Sequence, residues 1–185
     1  FRFAAQIEDR RFLLVLPTGT EDADGANFWN ATDACCDFGL TGVDDSAYLR
    51  GLVDEALGKF NISNVGFSGH SNGHFMSYRM ACDHSDVVDA IAGLAGATWL
   101  DDSMCGATDP VAVLHVHGDA DDVIEYEGDG VFPSAPVSAQ TWADRAGCTG
   151  SMEGEALDLL DGIDGAETIT QEFTGCGSDV ALWTM

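Results

Sequence analysis

Ser71 lies at the centre of Gly69-His70-Ser71-Asn72-Gly73, a G-x-S-x-G arrangement with the apolar Val65-Gly66-Phe67 before it and Phe75 after it. A serine hydroxyl is a weak nucleophile at neutral pH. Chemistry at Ser71 therefore requires exposure, a base within hydrogen-bond reach and a place for developing negative charge. A sharp turn from strand to helix supplies the exposure, and glycines two positions either side of the serine relieve the crowding in such a turn. The helix starting there directs its free N–H groups at the same spot, and the N–H of Asn72 is the expected oxyanion donor. Any glycine-rich turn between strand and helix matches these five residues, so the flanking pattern gives the motif its weight.

A second cluster lies downstream, where the apolar run Val111 to Val116 leads into His117-Gly118-Asp119-Ala120-Asp121-Asp122. An acid at a strand end can orient a histidine and stabilise its charged form, which gives the chain order serine then aspartate. The competing reading is a solvated acidic loop or a weak cation site. It lacks the order of an EF-hand loop, because Val123 occupies a ligand position.

A base is harder to find. The histidines are His70, His74, His84, His115 and His117, all before Asp121, whereas the serine-acid-histidine order requires one after it. His70 and His74 read as residues that could line a pocket. His84 reads as a cation at a helix end. His115 and His117 share one face of a strand, with His117 a structural hydrogen-bond partner beside the acid turn.

The elements that must position these groups follow from periodicity. Arg11 to Pro17 reads as a buried parallel strand closed by Pro and Gly. Apolar residues at helical spacing predict a helix over 44–57, with Asp44 and Asp45 at its amino end and Gly58 closing it. Val65 to Ser68 is a strand, Phe75 to Cys82 a helix, Val88 to Leu94 and Val111 to Val116 further strands. Trp142 lies in a short helix and Val180 to Trp183 in a last strand. Glu127 to Pro136 is a surface loop. Alternating strands and helices predict an α/β fold, a mostly parallel central sheet with helices on both faces, built as one domain over residues 1–185.

Composition bounds what this domain can do. Seven basic residues stand against 32 acidic ones, a net charge of −25. Such a field argues against nucleic acid and against anionic lipid surfaces as partners. It reads as a strongly hydrated surface, suited to ordinary solubility or to a salty medium. No run approaches the roughly 20 apolar residues of a membrane span. Six cysteines, Cys35, Cys36, Cys82, Cys105, Cys148 and Cys176, include no C-x-x-C pair. Disulfides and an oxidising compartment follow, with free buried thiols the alternative. Neighbouring Cys35 and Cys36 would strain if joined, so each is expected to reach a distant partner. Cys148 and Cys176 flank an acidic insert whose ends a disulfide would staple.

Several motifs in order carry a family resemblance. Phe28-Trp29-Asn30-Ala31-Thr32-Asp33-Ala34-Cys35-Cys36, Val43-Asp44-Asp45, Gly69-His70-Ser71-Asn72-Gly73 with Ser77-Tyr78-Arg79-Met80-Ala81-Cys82, and His117-Gly118-x-Ala120-Asp121 resemble the secreted polyhydroxybutyrate depolymerase and feruloyl esterase family of α/β-hydrolases. The resemblance runs from about Phe12 onward. It implies a secreted serine esterase with Ser71 as nucleophile, Asp121 as acid and Asp122 as fallback, no cofactor, and an ester substrate, polymeric or small. Trp29 and His70 would lie near the substrate. Cys148 with Cys176 resembles a family disulfide, which leaves two pairings among Cys35, Cys36, Cys82 and Cys105 once the neighbouring pair is set aside.

The chain departs from the family where the histidine should follow the last strand, and where a His-Gly loop should precede Phe1. The expectation is a fragment lacking both ends. The rival is a catalytically dead extracellular module on the same fold that binds polysaccharide or calcium.

Overall fold

The structure, a computed structural model, describes residues 3–160 and 162–185. In chain order it runs through a 3-10 turn (Phe3–Gln6), α1 (Ile7–Arg10), β1 (Thr20–Glu21), β2 (Asn27–Phe28), α2 (Asp45–Lys59), β3 (Gly66–His70), α3 (Asn72–Asp83) and β4 (Ala90–Leu94). A second 3-10 turn (Asp102–Met104), β5 (Ala112–His117), α4 (Ala135–Arg145), β6 (Gly150–Glu153), β7 (Ile169–Thr174) and β8 (Val180–Thr184) follow.

The central sheet has the order β3-β4-β5-β8-β7-β6. The first four strands are parallel, and β7 and β6 add antiparallel. The predicted α/β sheet is present, as a mixed one. Short apolar runs such as Val111 to Val116 pair as parallel strands because helix cover lets them bury side chains. The antiparallel hairpin of β6 and β7 is absent from the sequence reading. Gly150-Ser151-Met152-Glu153 is exposed along its length and therefore carries no hydrophobic alternation.

Register shows which side of the sheet is covered. Gly93, His115 and Leu182 lie opposite one another across β4, β5 and β8. His115 meets Tyr78 of α3, and Leu182 packs with Ala135 and Ala139 of α4. The rings of Tyr78 and Trp142 stand 5.8 Å apart, so α3 and α4 form one layer on that face. The opposite face carries Ala92, Leu94, Leu114, Val116 and Trp183, all half-buried. Among the described residues no helix packs on it, so the helical layer seen here covers one side.

The run Arg11 to Pro17 forms no strand. Leu13, Val15 and Leu16 are 46%, 47% and 79% exposed, and without a neighbouring strand or covering layer an apolar run has no reason to pair. The other elements lie near their expected places. Asp44 caps α2 by accepting a hydrogen bond from Ala47 N at 2.9 Å, and the helix passes through Gly58 to Lys59. Ser134 caps α4, with Pro136 in its first turn, so the loop begun at Glu127 ends just before that helix.

Three disulfides close the described chain, and one corrects the expected pairing. Cys82 at the end of α3 bonds to Cys105, their Cα atoms 4.8 Å apart, within the ordinary disulfide range. That bond consumes the distant partners assigned to Cys35 and Cys36. The two neighbours are instead joined to each other across a cis peptide bond. Cys148 bonds to Cys176 as expected, and the stapled insert is the β6–β7 hairpin.

Candidate functional site

Ser71 sits between β3 and α3 with φ 52° and ψ −123°, a left-handed backbone conformation that few non-glycine residues adopt. Its N–H donates to Leu94 O at 2.9 Å, and its carbonyl accepts from His74 N at 2.8 Å and Phe75 N at 3.1 Å. The turn is thereby tied to β4 on one side and to α3 on the other. A side chain at Gly69 would run into the backbone of Gly73, whereas one at Gly73 would meet open space. The crowding is one-sided, so only the first glycine is required for room.

Asn72 is the first residue of α3, where the N–H has no acceptor within the helix. Its side chain does separate work. Oδ1 accepts from Trp29 N at 2.7 Å, and Nδ2 donates to Trp29 O at 2.9 Å and approaches Cys35 Sγ at 3.5 Å. Asn72 thus pins the 29–36 loop beside the turn, a role that sequence reasoning missed because both acceptors lie more than 35 residues away. Trp29 is half-buried, packed against the core and stacked on Tyr48 at 6.5 Å. Arg79 donates to Ala31 O at 2.9 Å and lies 5.6 Å over the Trp99 ring, which anchors the same loop from below. Buried Asp45 accepts from Asn30 N at 2.7 Å.

Asp121 lies four residues past the end of β5. His70, Leu94 and Val116 are level across three parallel strands, which puts Ser71 and Asp121 at the same carboxyl edge of the sheet. Their strands are separated by β4, hence by about 10 Å of backbone. Asp121 Oδ1 accepts from Val123 N at 2.9 Å and Ile124 N at 3.0 Å, while Oδ2 lies 3.7 Å from His117 Nε2. Partial burial raises its pKa, but the two backbone N–H bonds and the nearby His117 and His70 outweigh this and hold the carboxyl below its usual range. Asp122 is exposed.

His70 ends β3 and is exposed beside the turn. His74 does not line a pocket. It is fully buried between α3 and β4, where a side chain at Gly93 or Gly96 would collide with it. Helical side chains point down onto the preceding turn and the sheet, and two glycines leave the space. Burial first, then His117 and His70, lower its pKa to about 3. His84 Nε2 lies 3.0 Å from Ser46 Oγ at the end of α3. His115 and His117 are buried and mutually hydrogen-bonded at 3.0 Å. Among the described residues no histidine hydrogen-bonds the Ser71 hydroxyl.

Surface clefts of about 380 and 350 Å³ lie elsewhere, one by Ile62, Val65 and Pro110, the other beside Tyr126 and the β6–β7 hairpin. Neither is lined by Ser71 or Asp121. Among the described residues no three or more His, Cys, Asp or Glu side chains gather as for a metal ion, and no helix is long and apolar enough to cross a membrane.

No protein-family profile matches the chain. Over 111 residues, 59% of its length, it is 29% identical to a protein named as an esterase, NocK, of Nocardia uniformis subsp. tsuyamanensis. It is 27% identical over 118 residues to the bifunctional acetylxylan esterase/xylanase XynS20E of Neocallimastix patriciarum, and 30% identical over 116 residues to a protein named feruloyl esterase C of Aspergillus flavus. The matched stretches make up 32%, 16% and 38% of those three proteins, so the chain spans well under half of each. A solved thermostable esterase superposes with a TM-score of 0.43 at 15% identity over 53% of this chain and 25% of that one, too slight a likeness to carry an argument. All three of these relatives are named as esterases, the class to which the motifs bear a resemblance. None of the named relatives is a depolymerase.

Proposed function

We propose that this chain forms part of a secreted carboxylic ester hydrolase in which Ser71 is the nucleophile. The observation that carries the reading is the left-handed turn at Ser71, set on the same sheet edge as Asp121. In the reaction the Ser71 hydroxyl attacks the ester carbonyl while a histidine takes its proton, and the Asn72 N–H supports the oxyanion. The histidine then protonates the leaving alcohol, and water hydrolyses the acyl-enzyme. That histidine is contributed by the protein outside 1–185, and Asp121 orients it through Oδ2. Trp29 and His70 flank the acyl or alcohol portion of the substrate. The chemistry of the relatives points to feruloyl or acetyl esters on polysaccharide, and the motif resemblance adds polyhydroxyalkanoate chains. The three disulfides support an extracellular setting.

The test is a fluorophosphonate probe on the full-length protein. Ser71 is labelled and the Ser71→Ala variant is not, and that variant loses ester turnover by about 10³-fold or more. Turnover that survives Ser71→Ala, or labelling at another serine, removes the reading.

A further inference from the structure

A chain of buried polar side chains runs beneath the candidate site and ends on the acid turn. Tyr78 Oη lies 2.7 Å from His115 Nδ1, His115 Nε2 lies 3.0 Å from His117 Nδ1, and His117 Nε2 lies 2.7 Å from Ile124 O. All three side chains are 0–1% exposed. They belong to α3 and β5, whereas the carbonyl at the end belongs to the turn that carries Asp121.

Donor and acceptor chemistry allows this chain one direction. Ile124 O can only accept, so His117 Nε2 bears a proton. The Tyr78 hydroxyl has a proton to place and, among the described residues, no acceptor other than His115 Nδ1, so that nitrogen accepts. His115 then carries its proton on Nε2 and donates it to His117 Nδ1. The reverse order would leave the buried phenol proton without an acceptor, a loss such sites avoid. Burial keeps the His115 imidazole neutral, in accord with this order.

We propose that Tyr78, His115 and His117 are positioning residues, a one-way hydrogen-bond relay that fixes the 121–124 turn and so aims the Oδ2 of Asp121 at the catalytic edge. The link is short. Ile124 receives the relay on its carbonyl and, through its N–H, holds Asp121 Oδ1 at 3.0 Å. With Oδ1 occupied by Val123 and Ile124, Oδ2 accepts no hydrogen bond among the described residues, its nearest histidine nitrogen being His117 Nε2 at 3.7 Å, and it is left to accept from an incoming imidazole. The statement about catalysis rests on the esterase reading above, whereas the statement about the turn does not.

Histidine-ring ¹⁵N spectroscopy on the full-length protein tests the direction. The expected result is that His115 and His117 each show a protonated Nε2 and an unprotonated Nδ1. A protonated Nδ1 on either ring overturns the relay. Tyr78→Phe removes only the first donor and preserves the ring. In that variant the amide protons of Val123 and Ile124 exchange about tenfold faster or more, and unchanged exchange overturns the positioning role whether or not the protein is an esterase.

On ester substrate, His117→Phe lowers kcat by about 10- to 100-fold with KM little changed, as for a misplaced catalytic group. His117→Gln, which can both accept and donate, recovers most of that loss. Equal losses in the two variants, or a loss confined to KM, overturn the role in catalysis. A wild type that neither labels at Ser71 nor turns over ester removes the esterase reading and leaves the exchange result to decide the relay.

Discussion

Both ring nitrogens of His74 are buried without a hydrogen-bonding partner. Desolvation therefore acts unopposed, and the pKa falls from 6.5 to about 3. The unfolded chain binds a proton at this histidine below about pH 6.5, whereas the folded chain does not until near pH 3. His74 therefore contributes stability that is complete above pH 6.5 and is lost as the pH falls towards 3. The slope from one such group approaches about 1.4 kcal/mol per pH unit. His115 acts in the same direction. Urea unfolding at a series of pH values checks this. In His74→Leu, which keeps an apolar side chain of similar bulk, the loss of stability between about pH 6 and 4 becomes shallower by roughly that slope. An unchanged slope would show that His74 titrates normally in the fold.

At the level of elements, the β6–β7 hairpin is held weakly by its own burial along β6. Every residue of β6 is exposed, and among the described residues the hairpin joins the sheet through the pairing of β7 with β8. The disulfide between Cys148 and Cys176, 28 residues apart, closes it. Loop-closure entropy for a ring of that size is worth about 3 to 4 kcal/mol. The double variant Cys148→Ala, Cys176→Ala should lose stability of that order in urea unfolding, while fluorophosphonate labelling of Ser71, on the far side of β4, β5 and β8, persists. Loss of labelling would place the hairpin in the site. Sequence periodicity displayed α2, α3 and β5 because each buries a patterned face. It missed the hairpin, whose residues bury little, and misread Leu13 to Leu16, which are apolar but have no partner strand.

Across the whole molecule, net charge sets the terms. Thirty-two acidic and seven basic residues are too unequal for pairing. Ion pairs such as Arg50 with Asp86 and Arg145 with Asp102 are few and half-exposed, worth at most about 1 kcal/mol each. Repulsion among the remaining carboxylates opposes the compact state. Raising NaCl from about 10 mM to 1 M shortens the screening length from about 30 to 3 Å. The melting temperature should rise over that range by about 5 to 10 °C, at roughly 2–4 °C per kcal/mol for a chain of this size. A flat or falling response in a salt titration followed by circular dichroism would mean that the acidic surface carries no net repulsion.

Local rules were legible in the chain itself: the strand-to-helix turn at Ser71, the acidic amino end of α2, the helix over α3, the acid turn after His117 and the stapling of Cys148 to Cys176. Each depends on residues close in sequence or on an insert with defined ends, so composition and spacing suffice to display it. Only the folded chain decided that Cys35 joins Cys36, that α3 and α4 share one face of the sheet, that Asn72 holds Trp29, and that His115 and His117 connect Tyr78 to the acid turn. The first follows from Cys82 bonding to Cys105, 23 residues away, and the others from which side of a strand meets which helix. That is set by register and packing between segments tens of residues apart, a relation that no local pattern in the sequence encodes.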